Sequence, residues 1–471
     1  MNHVPGLMCK LCLKPVPGVF KVTLMKEVDM KVSRRRFLAG ATVAGAALTT
    51  LSRPARAQAA NDKLNIAVVG VGGMGASNLR AVSGEYIAAL CDVDDDYAGK
   101  VFAAFPEAKR YRDYREMLAK DSDLDAVVIA TPDHTHAVIS AACMRAKKHV
   151  FCQKPLTHNV YEARRLAEIA AETGVVTQMG IQGHSGEGIR QIREWILAGV
   201  IGEVREVDAW CSLTYYPWGH ETWSSPIGVR PTETPPVPET LDWDLWLGPA
   251  PVRPYHRCYH PRTWRSFLDF GSGMMGDRGA HTFDPIFYAL DLGQPTSIDG
   301  NGTDWNGEVH PVACLVRYEF AARGTMPPVT LTWYDGLRPP RPAGVPKEDT
   351  MGNSEGGMLF KGSEGYITAD VYGENPRLLP ASRMKSFTQP PASIPRVAGT
   401  HEQDWIDAIK SGGKAGADFA YSGPLTEVCQ LGNIAKRMNT RLDWDPVKME
   451  FPNMPEANQY VSRMYRDGWV L

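Results

Sequence analysis

"LNIAVVGVGGMG" (residues 64–75) decides the fold. Leu64 to Val69 is a short apolar run, as expected of a strand buried on both faces. It runs into Gly70-Val71-Gly72-Gly73-Met74-Gly75, a G-x-G-x-x-G, and "ASNLRAV" continues as a helix. In such a turn the first glycine permits the tight bend. The second lets the backbone approach a pyrophosphate, and the third lets helix and strand pack closely. The helix N-terminus offers unpaired N–H groups to phosphates. Gly70, Gly72, Gly73, Met74 and Gly75 are therefore candidate dinucleotide contacts. A second strand, "YIAALCDVD", ends at Asp92, 22 residues after Gly70. An acid there suits adenosine ribose hydroxyls and favours NAD over NADP. The alternative is a surface acid of the "DVDDD" run.

Downstream the alternation continues. "DYREMLAKDSD" reads as a helix, "LDAVVIATPDHTHA" as a buried strand ending in a turn, "AVISAACMRAKK" as a helix and "HVFCQKPLT" as the next strand. Alternating strands and helices imply a doubly wound parallel sheet, with ligands at the carboxyl ends of its strands. Thr131, Pro132 and His134 sit at one such end, Gln153 and Lys154 at another, and all five join the cofactor candidates. Asn159 with Glu162 makes an N-cap with a reciprocal acid, and that helix stops at Gly174.

After Gly180 the character changes. "EVREVDAWCSLTYY", "ACLVRYEF", "PVTLTWYDG", "GMLFKG" and "YITAD" read as strands. No helices alternate with them, which predicts an open, mainly antiparallel sheet. "RPTETPPVPET" and "LRPPRPAGVP" are loops, since Pro cannot join a ladder. "HEQDWIDAIK" and "GPLTEVCQLGNIAKRM" are helices, the second with Pro424 in its first turn.

Upstream, Ser33-Arg34-Arg35-Arg36-Phe37-Leu38 matches the twin-arginine pattern, read by a receptor as an address. A modestly apolar run and Ala55-Arg56-Ala57, a small-x-small cleavage pattern, follow in the right order. The alternative is a disordered basic tail. Met25 or Met30 is a candidate true start, and Cys9-x-x-Cys12 lacks the second ligand pair of a zinc site. The expected organisation is a cleaved signal region over residues 1–57, a dinucleotide-binding domain over 58–180, and a substrate-binding α/β domain over 181–471. The helices near 401–438 are candidates to pack back on the first domain.

The first 57 residues hold ten Lys and Arg against two Asp and Glu, so the remainder, with 41 basic and 51 acidic residues, carries about −10. Such a surface disfavours nucleic acid and anionic membranes. The apolar run of the signal is too short and weak to span a bilayer, so no stable membrane association is expected after cleavage. Seven scattered cysteines remain, which argues against a disulfide framework even in an oxidising compartment.

With these motifs in place, the chain resembles the glucose–fructose oxidoreductase, inositol dehydrogenase and MocA family. Three stretches carry the resemblance: Gly70 to Gly75; "FCQKPL", where the family usually has E-K-P; and "GSGMMGDRGAH", which fits G-x-x-x-D-x-G-x-H at Gly273, Asp277, Gly279 and His281. The resemblance implies a Rossmann domain followed by an α/β domain with an open sheet. It also implies a nicotinamide cofactor between them, a sugar or polyol substrate, and dimers or tetramers formed through that sheet.

Oxidising an alcohol by hydride transfer needs a base for the hydroxyl proton and a positive donor near its oxygen. By resemblance, Lys154 and His281 fill these roles. Asp277, four residues before His281, is placed to orient its ring or to act only as a cap. Gln153 departs from the family's glutamate, keeping hydrogen bonds and losing charge. His184, Trp264 and Arg265 are candidate substrate contacts, against a loop histidine, core aromatic and surface arginine. His256, Cys258 and His260 fit no strong metal pattern.

An exported protein that needs a nicotinamide cofactor must acquire it before export, which a route for folded cargo allows. The expectation is an exported sugar or polyol oxidoreductase with tightly held, internally recycled NAD. The alternatives are a redox-neutral, NAD-dependent glycosidase of the family 109 type, with His184, Tyr215 and Tyr216 as further acid–base candidates, and a non-catalytic sugar-binding protein.

Overall fold

The computed structural model describes residues 63–214, 225, 227–303 and 305–471. The twin-arginine stretch, Cys9, Cys12, Tyr215 and Tyr216 lie outside them. The first half of the described chain alternates β1 (Asn65–Val69), α1 (Met74–Val82), β2 (Tyr86–Cys91), α2 (Asp95–Ala104), β3 (Lys109–Tyr111), α3 (Tyr114–Lys120), β4 (Ala126–Ile129), α4 (Asp133–Arg145), β5 (His149–Gln153), α5 (Val160–Thr173) and β6 (Thr177–Gly180). The strands form one parallel sheet in the order β3-β2-β1-β4-β5-β6. All four residues of β4 are buried, as a strand covered by helices on both faces requires. Side chains start the helices: Asp94 caps α2, Asp113 caps α3, and Asn159 Oδ1 accepts the Glu162 N–H at 2.9 Å in α5. The order reverses between β1 and β4, which opens a crevice at their carboxyl ends.

The second half continues with α6 (Glu187–Leu197), β7 (Val204–Cys211), α7 (Trp243–Leu247), α8 (Ala280–Ala289), β8 (Ser297–Gly302), β9 (Cys314–Phe320), β10 (Val329–Asp335), β11 (Gly356–Gly362), β12 (Gly365–Ala369), β13 (Arg377–Leu379), α9 (His401–Ser411), α10 (Phe419–Met438) and β14 (Arg441–Asp443). Its eight strands run β13-β12-β11-β7-β10-β9-β8-β14. Only the β7–β10 pair is parallel among the described residues. The mainly antiparallel sheet is as the sequence implies, but the expectation that no helices intervene is corrected. In α6, Ile189, Ile192 and Trp195 recur at helical spacing and are buried. It packs on α8, which lies against β7 and β11.

The other helix correction concerns α10. It begins five residues before Pro424, where Asp418 caps it, so the proline lies inside the helix. The preceding Gly423 sits where a Cβ would come within 3.1 Å of the Ala167 side chain on α5. Both late helices lie on the parallel sheet's layer: α10 lies along α5, and α9 lies on α1, β5 and β6. Trp405 of α9 meets the Phe151 ring edge-on at 5.7 Å. Residues 230–240 and 337–346 form no strands. The second stretch brings Val345, with Met351, onto Trp210 and Leu359 of the eight-stranded sheet. Cys91, Cys143, Cys152, Cys211, Cys258, Cys314 and Cys429 are buried and unpaired with one another.

Candidate active site

The glycine turn is dictated by space. Gly70 has φ +79°, and a Cβ on it would sit 2.8 Å from the Ala130 carbonyl carbon; a Cβ on Gly75 would collide with the Gly70 carbonyl oxygen. These two glycines let β1, α1 and the end of β4 come together. Gly72 faces the ring of Tyr97, which leaves no room for a Cβ there. Asp92, just past β2, accepts the Val71 N–H at 2.9 Å and the Asp94 N–H at 3.1 Å. Burial raises its pKa, and those two N–H groups oppose the rise. The turn and the acid both line a cleft of about 1120 Å³, together with Met74, Thr131, Pro132, Gln153, Lys154, Asp277 and His281. A glycine turn with no room for side chains, facing a helix N-terminus and an acid at the next strand end, fits a dinucleotide.

At the other end of the cleft, the segment Met275–Gly279 is one π-helical turn leading into α8. Insertions of this kind often mark functional sites. Lys154 Nζ donates to the Asp277 carboxylate in a short charge-assisted bond, and to the Asp277 carbonyl at 3.1 Å. Burial lowers the Lys154 pKa, and Asp277 pulls it back up. His281 is 5% exposed, and its Nδ1 has no hydrogen-bond partner among the described residues. Burial, then Lys154 and Arg278, hold its pKa well below the ordinary histidine range, so the ring is neutral. Asp277, read from the sequence as a partner for the His281 ring or as a cap, is seen here holding Lys154 with its carboxylate.

Gln153 shows how this chain manages without the family's glutamate. Its Nε2 donates to Asn78 Oδ1 at 2.9 Å, and Asn78 Nδ2 donates to Glu402 Oε1 at 2.8 Å. A carboxylate thus stands two hydrogen bonds away, on α9 rather than on β5.

Two histidines move out of the cleft. His134 is fully buried against Trp246 and Phe270, with Nε2 at 2.9 Å from the Trp246 carbonyl. Burial drives its pKa down to about 3, so it is a neutral packing residue and not a cofactor contact. His184 bonds Asp284 through Nδ1 at 2.8 Å and packs on Tyr421, behind the cleft wall. It belongs to a buried polar knot that also ties Tyr421 Oη to Asp284 at 2.6 Å, so its assignment to substrate is withdrawn.

Sequence reasoning passed over His136, two residues beyond His134 on α4. Its Nδ1 lies 2.8 Å from the Pro155 carbonyl and its Nε2 2.8 Å from the Thr131 carbonyl. Two carbonyl acceptors are both satisfied only when both ring nitrogens carry protons. Burial opposes that charge, but Cys152, Asp133 and the Pro155 carbonyl outweigh it and push the pKa up to about 9. The ring staples the turn after β4 to the turn after β5. Tyr372 was also missed. It stands edge-on to His281 with ring centres 4.5 Å apart, and its hydroxyl accepts from Arg278 at 2.8 Å. It follows β12, and only the sheet brings it here.

Trp264 and Arg265 line the cleft, with the guanidinium 4.3 Å from the Trp264 ring centre. Burial lowers the Arg265 pKa, and Asp133 and Tyr97 oppose that; its Nη1 donates to the Arg262 carbonyl at 3.0 Å. His260 pairs with Asp94 at 2.8 Å, while His256 Nδ1 accepts the Cys258 N–H at 3.2 Å. No group of three or more His, Cys, Asp or Glu is placed to hold a metal among the described residues.

Comparison with known proteins gives a consistent picture. A family described as an oxidoreductase family with an NAD-binding Rossmann fold matches residues 64–181. Its partner, described as an oxidoreductase family C-terminal alpha/beta domain, matches residues 185–319, and the two together span more than half of the chain. Myo-inositol 2-dehydrogenase of Thermotoga maritima is 30% identical over 143 residues, 30% of this chain and 42% of that one. Inositol 2-dehydrogenase of Salmonella typhimurium is 33% identical over 149 residues, 30% of this chain and 43% of that one. The alignment thus spans less than half the length of these curated relatives. Among solved structures, levoglucosan dehydrogenase in complex with NADH and levoglucosan matches with TM-score 0.56 at 17% identity, over 81% of this chain and 99% of that one. Aldose–aldose oxidoreductase of Caulobacter crescentus, complexed with glycerol, matches with TM-score 0.55 at 15% identity, over the same shares. At these identities the structural likeness speaks to the fold.

Proposed function

The chain belongs to the Gfo/Idh/MocA oxidoreductase family, and from that premise we propose that it is an exported enzyme oxidising a sugar or polyol with a tightly held, internally recycled NAD. The observation that carries the reading is the meeting of the Lys154–Asp277 pair and neutral His281 in one cleft with the glycine turn and Asp92. Gly70, Gly72, Gly73, Met74 and Gly75 would hold the dinucleotide's phosphates, Asp92 its adenosine ribose, and Thr131, Pro132 and Gln153 its nicotinamide half. Asp92 favours NAD over NADP because a carboxylate accepts from ribose hydroxyls and repels a 2′-phosphate.

A bound nicotinamide would supply the acceptor for the hydride on the carbon that carries the substrate hydroxyl. The chain's own groups handle the rest. Lys154, held by Asp277, donates a charged hydrogen bond to the substrate oxygen and stabilises the developing alkoxide. His281, neutral and lining the cleft, accepts the hydroxyl proton as the C=O bond forms. For a carbonyl acceptor, His281 would return the proton to the carbonyl oxygen. Polar side chains at this end, Gln182, Gln191 and Asn375, suit neutral hydroxyl-rich substrates.

A cofactor that stays with the protein agrees with a signal for folded export and with a net negative mature surface in the periplasm. A dimer or tetramer through the eight-stranded sheet belongs to the same reading. The test is to purify the mature protein, denature it and assay the supernatant for nicotinamide, then offer pairs of sugars without added NAD. Bound nicotinamide and transfer from one sugar to another are expected. A folded protein with none bound, and no sugar-driven reduction of added NAD, overturns the reading. Cofactor-dependent aglycone release from chromogenic glycosides would replace it with glycoside cleavage.

A further inference from the structure

The segment Thr240–Phe270 has its own aromatic core: Trp243 and Trp246 stack at 4.6 Å, and Tyr259, Trp264, Phe267 and Phe270 complete it. Arg253 fastens it from within. Its guanidinium lies 5.2 Å from the Tyr259 ring centre and 5.0 Å from that of Phe270, and it pairs with Glu308 at 2.6 Å. Such a core, with a buried arginine whose two terminal nitrogens are held by Tyr259, Glu308 and Asp269, makes the segment a stiff module rather than a slack loop.

The module is fixed to the loop just beyond Asp92. Asp94 and Leu241 form an antiparallel bridge. The Asp242 N–H donates to the Val93 carbonyl at 2.8 Å, and the Asp95 N–H to the Thr240 carbonyl at 3.1 Å. His260 reaches back to Asp94, whose pKa burial would raise. The His260 bond and the Tyr97 N–H outweigh that and bring it down to about 2. The far side is braced by the last residues of the chain. Arg466 donates to the Gly248 carbonyl at 2.8 Å, and Trp469, gripped by Arg115 at 4.8 Å, lines the cleft.

Among the residues the module presents to the cleft are three that can be cationic, His260, Arg262 and Arg265, with Trp264 beside them. On the opposite wall the glycine turn offers N–H groups and no cationic side chain. A diphosphate carries two negative charges, and arginine is the residue that recognises such groups by paired hydrogen bonds.

We infer that Thr240–Phe270 is a clasp contributed by the second domain, with Arg265 on the dinucleotide's diphosphate and His260, fixed by Asp94, closing the adenosine end. Trp264 and Arg265 thereby serve the cofactor rather than the sugar. The inference rests on the proposed NAD-dependent activity and names what would hold the cofactor in place. Because the clasp is built from packed aromatics and several backbone bonds, its effect falls on the release rate.

The test loads the full mature protein with radiolabelled NAD, chases with unlabelled NAD, and follows bound label. Arg265→Met and His260→Ala are each expected to speed release by about tenfold or more, the scale of one charged hydrogen bond. His260→Gln, which keeps a donor for Asp94, should restore slow release. Binding of nicotinamide mononucleotide, which lacks the adenosine half, should weaken far less in His260→Ala. Equal release from wild type and Arg265→Met overturns the clasp, as does an equal loss of mononucleotide and dinucleotide binding in His260→Ala. A wild type that neither retains nor binds NAD overturns the functional reading instead.

Discussion

At the Lys154 end of the cleft, the reacting groups come from two short motifs. Lys154 follows β5, and Asp277 and His281 share one π-turn and the helix after it. At the Asp92 end, the wall opposite the acid comes from residues 240–270, and its brace from the last residues of the chain. The first end is dense in charge: a buried ammonium is paired with a carboxylate, and burial together with that ammonium keeps the imidazole neutral. The second is dense in aromatic surface and backbone hydrogen bonds. The difference teaches that chemistry here needs a few groups held close, whereas retention needs area and closure.

The largest expected effect breaks the Lys154 end alone. Lys154→Ala and His281→Ala should each lower turnover by roughly 10²-fold or more, the scale of general acid–base catalysis. The double variant should fall short of the product, because both groups act on one transition state. NAD content should stay near wild type in all three, measured on denatured samples. Loss of NAD from either single variant would erase the division of labour between the two ends.

A smaller effect should appear at the Asp92 end. Asp92→Asn is expected to weaken NAD by roughly tenfold while weakening NADP less, since a charged acceptor is lost and a repulsion removed. Titration of the apo protein with each dinucleotide measures this. Unchanged discrimination would make Asp92 only a holder of the Val71 turn.

Displacements in pH come next. Burial already sets the Lys154 pKa below the ordinary lysine range, and Asp277 opposes that. Asp277→Asn removes the opposition, so Lys154 should lose its proton at lower pH. The alkaline limb of the turnover profile should therefore move toward neutrality. A limb that stays in place would assign it to another group.

The mildest effect concerns the staple between the two strand-end turns. The folded His136 pKa is raised from 6.5 to about 9. Its contribution to stability is thus complete below pH 6.5 and is lost as pH rises through 9. The melting temperature should decline across that window, and His136→Gln should flatten the decline. An equal slope in both proteins would remove the charge from His136.

Much of the scaffold was legible because local rules wrote it. An apolar run into a glycine turn, a capping residue at Asn159, and the switch from 3.6 to 2 periodicity each act over a few residues. Pro424 misled because proline is common in first turns, and Asp418 had already started the helix. Helix α6 was overlooked although Ile189, Ile192 and Trp195 carry its period. Of the site, Lys154, Asp277 and His281 were readable as motif residues. Their pairing was not: that the Asp277 carboxylate meets Lys154 depends on where the π-turn aims it.

The sequence by itself determined the parallel sheet, its glycine turn, the acid after β2 and the open second sheet. In each case the signal lies within one element and its neighbouring turn. Tertiary structure alone decided that His134 packs while His136 is charged, two residues apart on one helix. A 3.6-residue period turns such neighbours to different sides, and only the packed surroundings settle what each meets. It also decided that a carboxylate reaches Gln153 as Glu402 from α9 through Asn78, and that Trp264 and Arg265 line the same cleft as the glycine turn. These are contacts between residues up to 324 positions apart. No local propensity encodes them, because their energy exists only once both elements have been brought together.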